Sequence, residues 1–237
     1  KEENNKIIKI YDQKAGITEL ELNNKNTIIK LKNEQVKIIS DRFLYHNKTL
    51  QEISLSNVAE IGNHFLASDF ALINITLPRA KVIGKFFCAN NENLEKIDLP
   101  SVEKIGGCFL GSNKGLKKIY LPKAKYIESV FLSRNRGLEE IILPNVEIID
   151  HSFLEHNKKL KEISFPNVRE IGNGFLSQNQ NLNKIDLPNV IKVGSYFLYS
   201  NNSLKKVFLP KVEEIGNYFL AWNESLKMLN LPSAKYI

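Results

Sequence analysis

Cysteine is almost missing from this 237-residue sequence: only Cys88 and Cys108 occur, in neither a CxxC nor a metal-ligand pattern. That scarcity excludes a disulfide framework and a recognisable zinc site. No apolar run reaches 18 residues, which excludes a membrane-spanning helix. HExxH, GxSxG, phosphate-loop and dinucleotide-binding signatures are all absent, so no sequence pattern points to an enzyme or to a cofactor. The chain opens at Lys1 without an initiator Met or the apolar centre of a signal peptide. It therefore reads as a processed or excerpted product, with any export signal lying outside it.

What is present is a repeat. Leu-Pro falls at Leu77-Pro78, Leu99-Pro100, Leu121-Pro122, Leu143-Pro144, Leu187-Pro188, Leu209-Pro210 and Leu231-Pro232. Phe165-Pro166 fills the remaining slot, and Leu55-Ser56 extends the series backward, every step being 22 residues. The aligned template is L-x-x-I-x-L-P-x-V-x-x-I-G-x-x-F-L-x-x-N-x-x, seen well from Leu160 to Asn181. A weaker copy starts at Ile28 and keeps Leu31, Val36, Ile39, Phe43, Leu44 and Asn47. The period lies in the range of leucine-rich repeats.

Each template position has a physical reason. In L-x-x-I-x-L, apolar and polar residues alternate, as in a short strand with one buried face. Stacked coils join these strands into a parallel, concave sheet with neighbours about 4.8 Å apart. The proline ends the strand because it carries no N–H. The glycine column (Gly62, Gly84, Gly106, Gly172, Gly194, Gly216) is expected at a turn of positive φ, with Glu128 and Asp150 in that slot in two repeats. Phe-Leu, as in Phe175-Leu176, is expected to form a short helical turn on the convex side. The recurrent asparagine (Asn47, Asn91, Asn113, Asn135, Asn157, Asn179, Asn201, Asn223, with Asp69 once) reads as a buried ladder that satisfies backbone groups of adjacent turns. The fold class is thus an α/β leucine-rich-repeat solenoid, right-handed.

Residues 1–27 fall out of register and read as an N-terminal cap, whose segments Ile7–Ile10 and Leu20–Leu22 would pair as strands. Residues 28–237 are the repeats, about nine and a half of them. A stack needs such a cap because its end coil otherwise exposes bare core. Ile237 matches Ile215 and lies in mid-repeat, so the natural protein is expected to continue.

The template resembles the BspA-like class of leucine-rich repeats. The resemblance rests on Ile185-Asp186-Leu187-Pro188, Val190, Val193-Gly194 and Phe197-Leu198, and on the same columns from about Leu50 onward. One departure is clear: the class often has Ala-Phe and then Cys, where this chain has Phe-Leu and then Asn. The resemblance implies a surface or secreted microbial protein, often an adhesin binding host or neighbouring-cell proteins. It brings no catalytic residues.

His46 and His156 share a column with Ser68, Arg134, Gln178 and Trp222, a variation expected of exposed positions, so the histidines read as surface residues. Cys88 replaces a core leucine, and both cysteines are expected as free thiols. The sequons at Asn47, Asn201 and Asn223 sit on ladder positions and, like that at Asn74, read as coincidence.

The charge of +7 invites nucleic acid. However, Glu95, Lys117, Glu139 and Lys161 alternate in sign down one column, and Lys81, Glu103, Lys125, Glu147 and Arg169 down another. No long basic stripe remains for a phosphate backbone. On the concave face the central column holds Tyr120 beside Ile142, flanked by Lys117, Lys118, Glu139 and Glu140, with Asp186 and Phe208 further on. Exposed aromatics inside a charged rim are what an interface anchor requires, while the structural alternative is cross-strand packing alone.

The sequence therefore predicts a non-catalytic module binding a protein or surface-glycan ligand, extracellular or cell-surface, without membrane insertion. Its alternatives are a spacer arm displaying another domain and an intracellular effector-recognition module.

Overall fold

The computed structural model describes residues 6–12, 16–22 and 28–235. Strand β1 (Lys6–Asp12) pairs antiparallel with β2 (Gly16–Leu22), and β2 pairs antiparallel with β3 (Ile28–Asn33). From β3 onward the chain coils, and every strand pairing is parallel with a partner one 22-residue repeat away. The antiparallel pair thus lies on the outer edge of β3, where a preceding coil would otherwise stack.

The L-x-x-I-x-L segments form strands as their alternation demands. Ile75, Ile119 and Ile163 point inward and are buried, while Lys118, Tyr120, Glu162 and Ser164 point out. This face is not one sheet. It runs through β3, Glu52–Leu55, Asn74–Thr76 and Lys96–Asp98, then splits into the pairs Lys118–Tyr120 with Glu140–Ile142, Glu162–Ser164 with Lys184–Asp186, and Lys206–Phe208 with Met228–Asn230.

The continuous sheet is a second one. Two-residue strands, from Ile38–Ile39 to Glu214–Ile215, come from the V-x-x-I part of each repeat and form nine parallel strands without a break. The sheet runs unbroken past Glu128 and Asp150 as well as past the column's glycines, and for those glycines the sequence expectation is corrected. These glycines do not have positive φ; among the glycines only Gly174, outside the column, does. They are small because coils touch there. A Cβ on Gly84 would stand 2.6 Å from the Gly62 carbonyl carbon, and one on Gly106 2.7 Å from that of Gly84. Backbone that close leaves no room for a side chain, while the Gly84 N–H still reaches the Ile61 carbonyl at 2.8 Å.

The Phe-Leu segment brings the second correction. No helix occurs among the described residues. Alternate residues are left-handed instead, as at Val130, Leu132 and Arg134 with φ of 61°, 51° and 61°. A right-handed helix needs successive residues of one hand, so this alternation cannot wind into one. Their N–H groups point in turn to the next coil, the previous one and the next again: to His151, Phe109 and Glu155 carbonyls, at 2.9, 2.9 and 2.8 Å. Left-handed non-glycine residues cost about 1–2 kcal/mol each. These inter-coil bonds, with burial of the Phe and Leu side chains, offset that cost.

Two ladders fill the interior. Phe43, Phe65, Phe87, Phe109, Phe131, Phe153, Phe175, Phe197 and Phe219 stack ring on ring, with centroids 5.2 to 6.2 Å apart. Beside them runs the asparagine ladder. Asn179 donates its backbone N–H to Asn201 Oδ1 (2.9 Å) and its Nδ2 to the Leu154 carbonyl (2.9 Å), and Asn91 and Asn113 repeat the pattern. Where Asp69 stands in for asparagine, it can offer no amide donor. It is fully buried, Oδ1 accepts from the Ala71 N–H at 3.1 Å, and Oδ2 has no partner. Burial pushes its pKa up to about 6, against the opposing pull of the Ala71 and Leu72 N–H groups.

Candidate ligand-binding face

Six of the residues singled out in the sequence stand on two adjacent coils of the L-x-x-I-x-L face. The parallel register sets Lys118 opposite Glu140 and Tyr120 opposite Ile142. The Lys118 ammonium lies 2.8 Å from the Glu140 carboxylate. Glu139 turns instead to Lys159, at 3.3 Å, rather than to Lys117 or Lys161 in its own column. Lys117 joins the patch through its carbonyl, which accepts the N–H groups of Glu139 and Glu140 at 2.9 and 3.1 Å. Tyr120 is 52% exposed, and Ile142 beside it is half-buried.

The break in the sheet after Ile142 changes what this face offers. Between Glu140–Ile142 and Glu162–Ser164 there is a cavity of about 410 Å³, bordered by Ile142, Pro144, Ser164, Lys184 and Asp186. Asp186 thereby reaches the same region as Ile142. It accepts from the Ser164 hydroxyl at 3.1 Å, and Lys184 lies 3.9 Å from Glu162. Phe208, 54% exposed, is not brought to this group. Four coils separate it from Tyr120, or about 19 Å at the usual strand spacing, and it stands opposite Asn230.

Lys184 was not singled out in the sequence. Its column could have been compared in the same way, but nothing in a uniform 22-residue period marks where the ladder opens. The sequence also gave no weight to the exposed aromatics of the turn segment, including Tyr196, Tyr218 and Trp222, which are 44, 61 and 67% exposed.

The remaining chemistry-bearing residues are accounted for by the coil. Cys88 and Cys108 are free; burial raises the Cys88 thiol well above its ordinary value, with the Asp69 charge adding to it. For Cys108 burial raises the thiol and Lys85 opposes. Asn47 accepts from the N–H groups of Thr49 and Leu50, at 2.9 and 2.8 Å, as a ladder asparagine at the end of the row. His151 Nδ1 accepts the Asn173 N–H at 2.9 Å, and its Nε2 faces Asp150 at 3.3 Å. Among the described residues no cluster of three or more His, Cys, Asp or Glu is placed to hold a metal ion, and no helix is long and apolar enough to cross a membrane.

Comparison with known proteins agrees with this architecture. The model of the BspA type leucine-rich repeat region matches residues 11–139 and 125–237, in six copies. A leucine-rich repeat protein from Bacteroides ovatus ATCC 8483 is similar in structure, with a TM-score of 0.51 and 16% identity over 95% of this chain and 81% of that one. A leucine rich cell surface protein from Faecalibacterium prausnitzii A2-165 aligns with a TM-score of 0.43 and 14% identity over 97% and 94% of the two chains. Such identities speak to the fold alone. No curated protein sequence matches.

Proposed function

Because the chain belongs to the family of BspA-type leucine-rich repeats, we propose that it is a non-catalytic recognition module, displayed at a cell surface or secreted, that binds a protein ligand through its L-x-x-I-x-L face. The observation that carries this reading is Tyr120: an exposed ring beside a half-buried isoleucine, rimmed by a Lys118–Glu140 pair, next to a cavity of about 410 Å³. Aromatic anchors with a pocket alongside and charges at the rim are how interfaces concentrate their energy. Phe208, a long way down the stack, is a second contact point for an extended ligand.

Charge supports a protein rather than a nucleic-acid partner. Lys118–Glu140, Lys125–Glu147 and Lys192–Glu214 pair across neighbouring coils, so the basic side chains are interleaved with acidic ones. Surface display rests on the family resemblance. The fold contributes a rigid scaffold on which outward columns vary without disturbing the interior.

The test is a binding screen of the whole chain against immobilised extracellular-matrix proteins and surface glycans at several salt concentrations. A saturable protein hit, lost in the Tyr120→Ala/Ile142→Ser double variant with its melting curve unchanged, is the expected result. Silence across the screen would favour a spacer arm, and a hit indifferent to the double variant would move the site elsewhere.

A further inference from the structure

On the turn segment, the column immediately before the stacked phenylalanines runs Arg42, His64, Phe86, Cys108, Val130, Ser152, Gly174, Tyr196 and Tyr218. All nine have positive φ, and the eight with side chains lie between 55° and 61°, against 72° for Gly174. Since eight other residues hold this conformation, the backbone does not require glycine at 174. What glycine provides there is the absence of a side chain.

That absence leaves a stack open at its end. Rings in this outer column lie face to face on successive coils: His64 on Phe86 at 4.6 Å and 4°, Tyr196 on Tyr218 at 4.8 Å and 9°. Tyr218 covers one face of Tyr196. The other face looks toward the preceding coil, where Gly174 offers nothing to stack on and Ser152 beyond it is short. Two coils at about 4.8 Å each leave a notch roughly 10 Å deep in front of that face, enough for one saturated six-membered ring. Tyr199, edge-on to Tyr196 at 5.7 Å, closes one side.

The notch has a volume of about 300 Å³, and its rim carries Glu155, His156, Asn173 and Gln178. The Glu155 carboxylate hangs over the glycine, so that a Cβ at 174 would come within 2.6 Å of its Oε1. Lysine and arginine are absent from the lining, which includes the Glu155 carboxyl group. Anionic ligands are therefore disfavoured.

We propose that this notch is a binding subsite for a neutral pyranose ring, separate from the strand face around Tyr120. One face of such a sugar presents polarised C–H groups, which match the electron-rich face of Tyr196. Its edge presents hydroxyls, which match a carboxylate, two amides and an imidazole around the rim. Tyr218 behind Tyr196 holds the ring in place before the sugar arrives, so little order is lost on binding.

The experiment is a saturation-transfer and chemical-shift NMR titration of the whole chain with four probes: the methyl glycosides of β-glucose, β-galactose, α-mannose and β-N-acetylglucosamine. At least one is expected to saturate, with millimolar affinity and shifts at the Tyr196 ring. Gly174→Tyr continues the stack in a conformation its column already accepts. It should keep a cooperative melt at a modestly lower temperature, since position 174 is left-handed, and weaken binding about tenfold, the worth of a lost aromatic contact. Tyr196→Ala should do the same, while Tyr120→Ala/Ile142→Ser should leave sugar binding untouched. If none of the four sugars saturates, or if Gly174→Tyr binds as the parent chain does, the subsite is wrong, whatever the protein screen returns.

Discussion

Along the turn segment, the column from Phe43 to Phe219 and the column one residue before it make an instructive pair. Both belong to the same run of alternating left- and right-handed residues, and both donate or accept between coils. The inner column is phenylalanine in all nine coils, and in seven of those the ring is fully buried. The outer column holds Arg, His, Phe, Cys, Val, Ser, Gly and Tyr in the same backbone conformation. Backbone geometry is therefore not what selects residues here. Burial selects on the inside, because a missing ring leaves a void between two others. On the outside water takes up any gap, and the column is free to vary with what it contacts.

The contrast can be broken most severely from within. Phe153→Ala, flanked by Phe131 and Phe175 and met edge-on by Phe165, should cost about 3–5 kcal/mol in urea unfolding. A loss below about 1 kcal/mol would mean that the stack is a consequence of coil spacing and not a support for it. Gly84→Ala should cost about 1–3 kcal/mol, since its methyl would press on the backbone of Gly62 and Asn63. The same change would be harmless if the column needed only a small residue rather than none.

Asp69 sharpens the comparison through pH. It is buried and raised to about 6, against an ordinary value of 3.8. Folding therefore takes up a proton between these values. The stability that protonated Asp69 contributes is fully present below pH 4 and is lost as pH rises through 6. Asp69→Asn restores the amide donor that other coils aim at a leucine carbonyl. It should raise stability at pH 8 by about 1–2 kcal/mol once solvent screening is discounted, and the gap should close below pH 4. Thermal melts across pH 3 to 8 read this directly, and a gap independent of pH would place the gain in the new hydrogen bond alone. The smallest effect on the fold belongs to the outward columns. Tyr120→Ala/Ile142→Ser should shift stability by no more than about 0.5 kcal/mol, and Gly174→Tyr should cost no more than the about 1–2 kcal/mol of one left-handed side chain, while each changes binding.

The stack was legible because its residues repeat. Leu, Ile, Phe and Asn recur at one spacing, and each has a role that burial enforces nine times over. The turn conformation was not legible. Phe-Leu suits a helical turn equally well on propensity, and only the competition between neighbouring coils for its N–H groups selects alternating hands. The glycine column was read as a matter of φ, although its cause is the approach of another coil, which a single repeat does not contain. On the L-x-x-I-x-L face, the side-by-side placement of Lys118, Tyr120, Glu140 and Ile142 followed from register, which the period fixes. The cavity that brings Asp186 near Ile142, and the distance that leaves Phe208 outside, did not.

By itself the sequence determined the solenoid, its period, its buried columns and the outward direction of Tyr120, because one residue pattern meeting the same requirement in every coil leaves a single consistent arrangement. Tertiary structure decided which of the two strand faces stays continuous, where the other opens, and that the bare face of Tyr196 looks onto Gly174. Those outcomes depend on contacts between residues 22 apart, and such contacts exist only once one coil lies on the next.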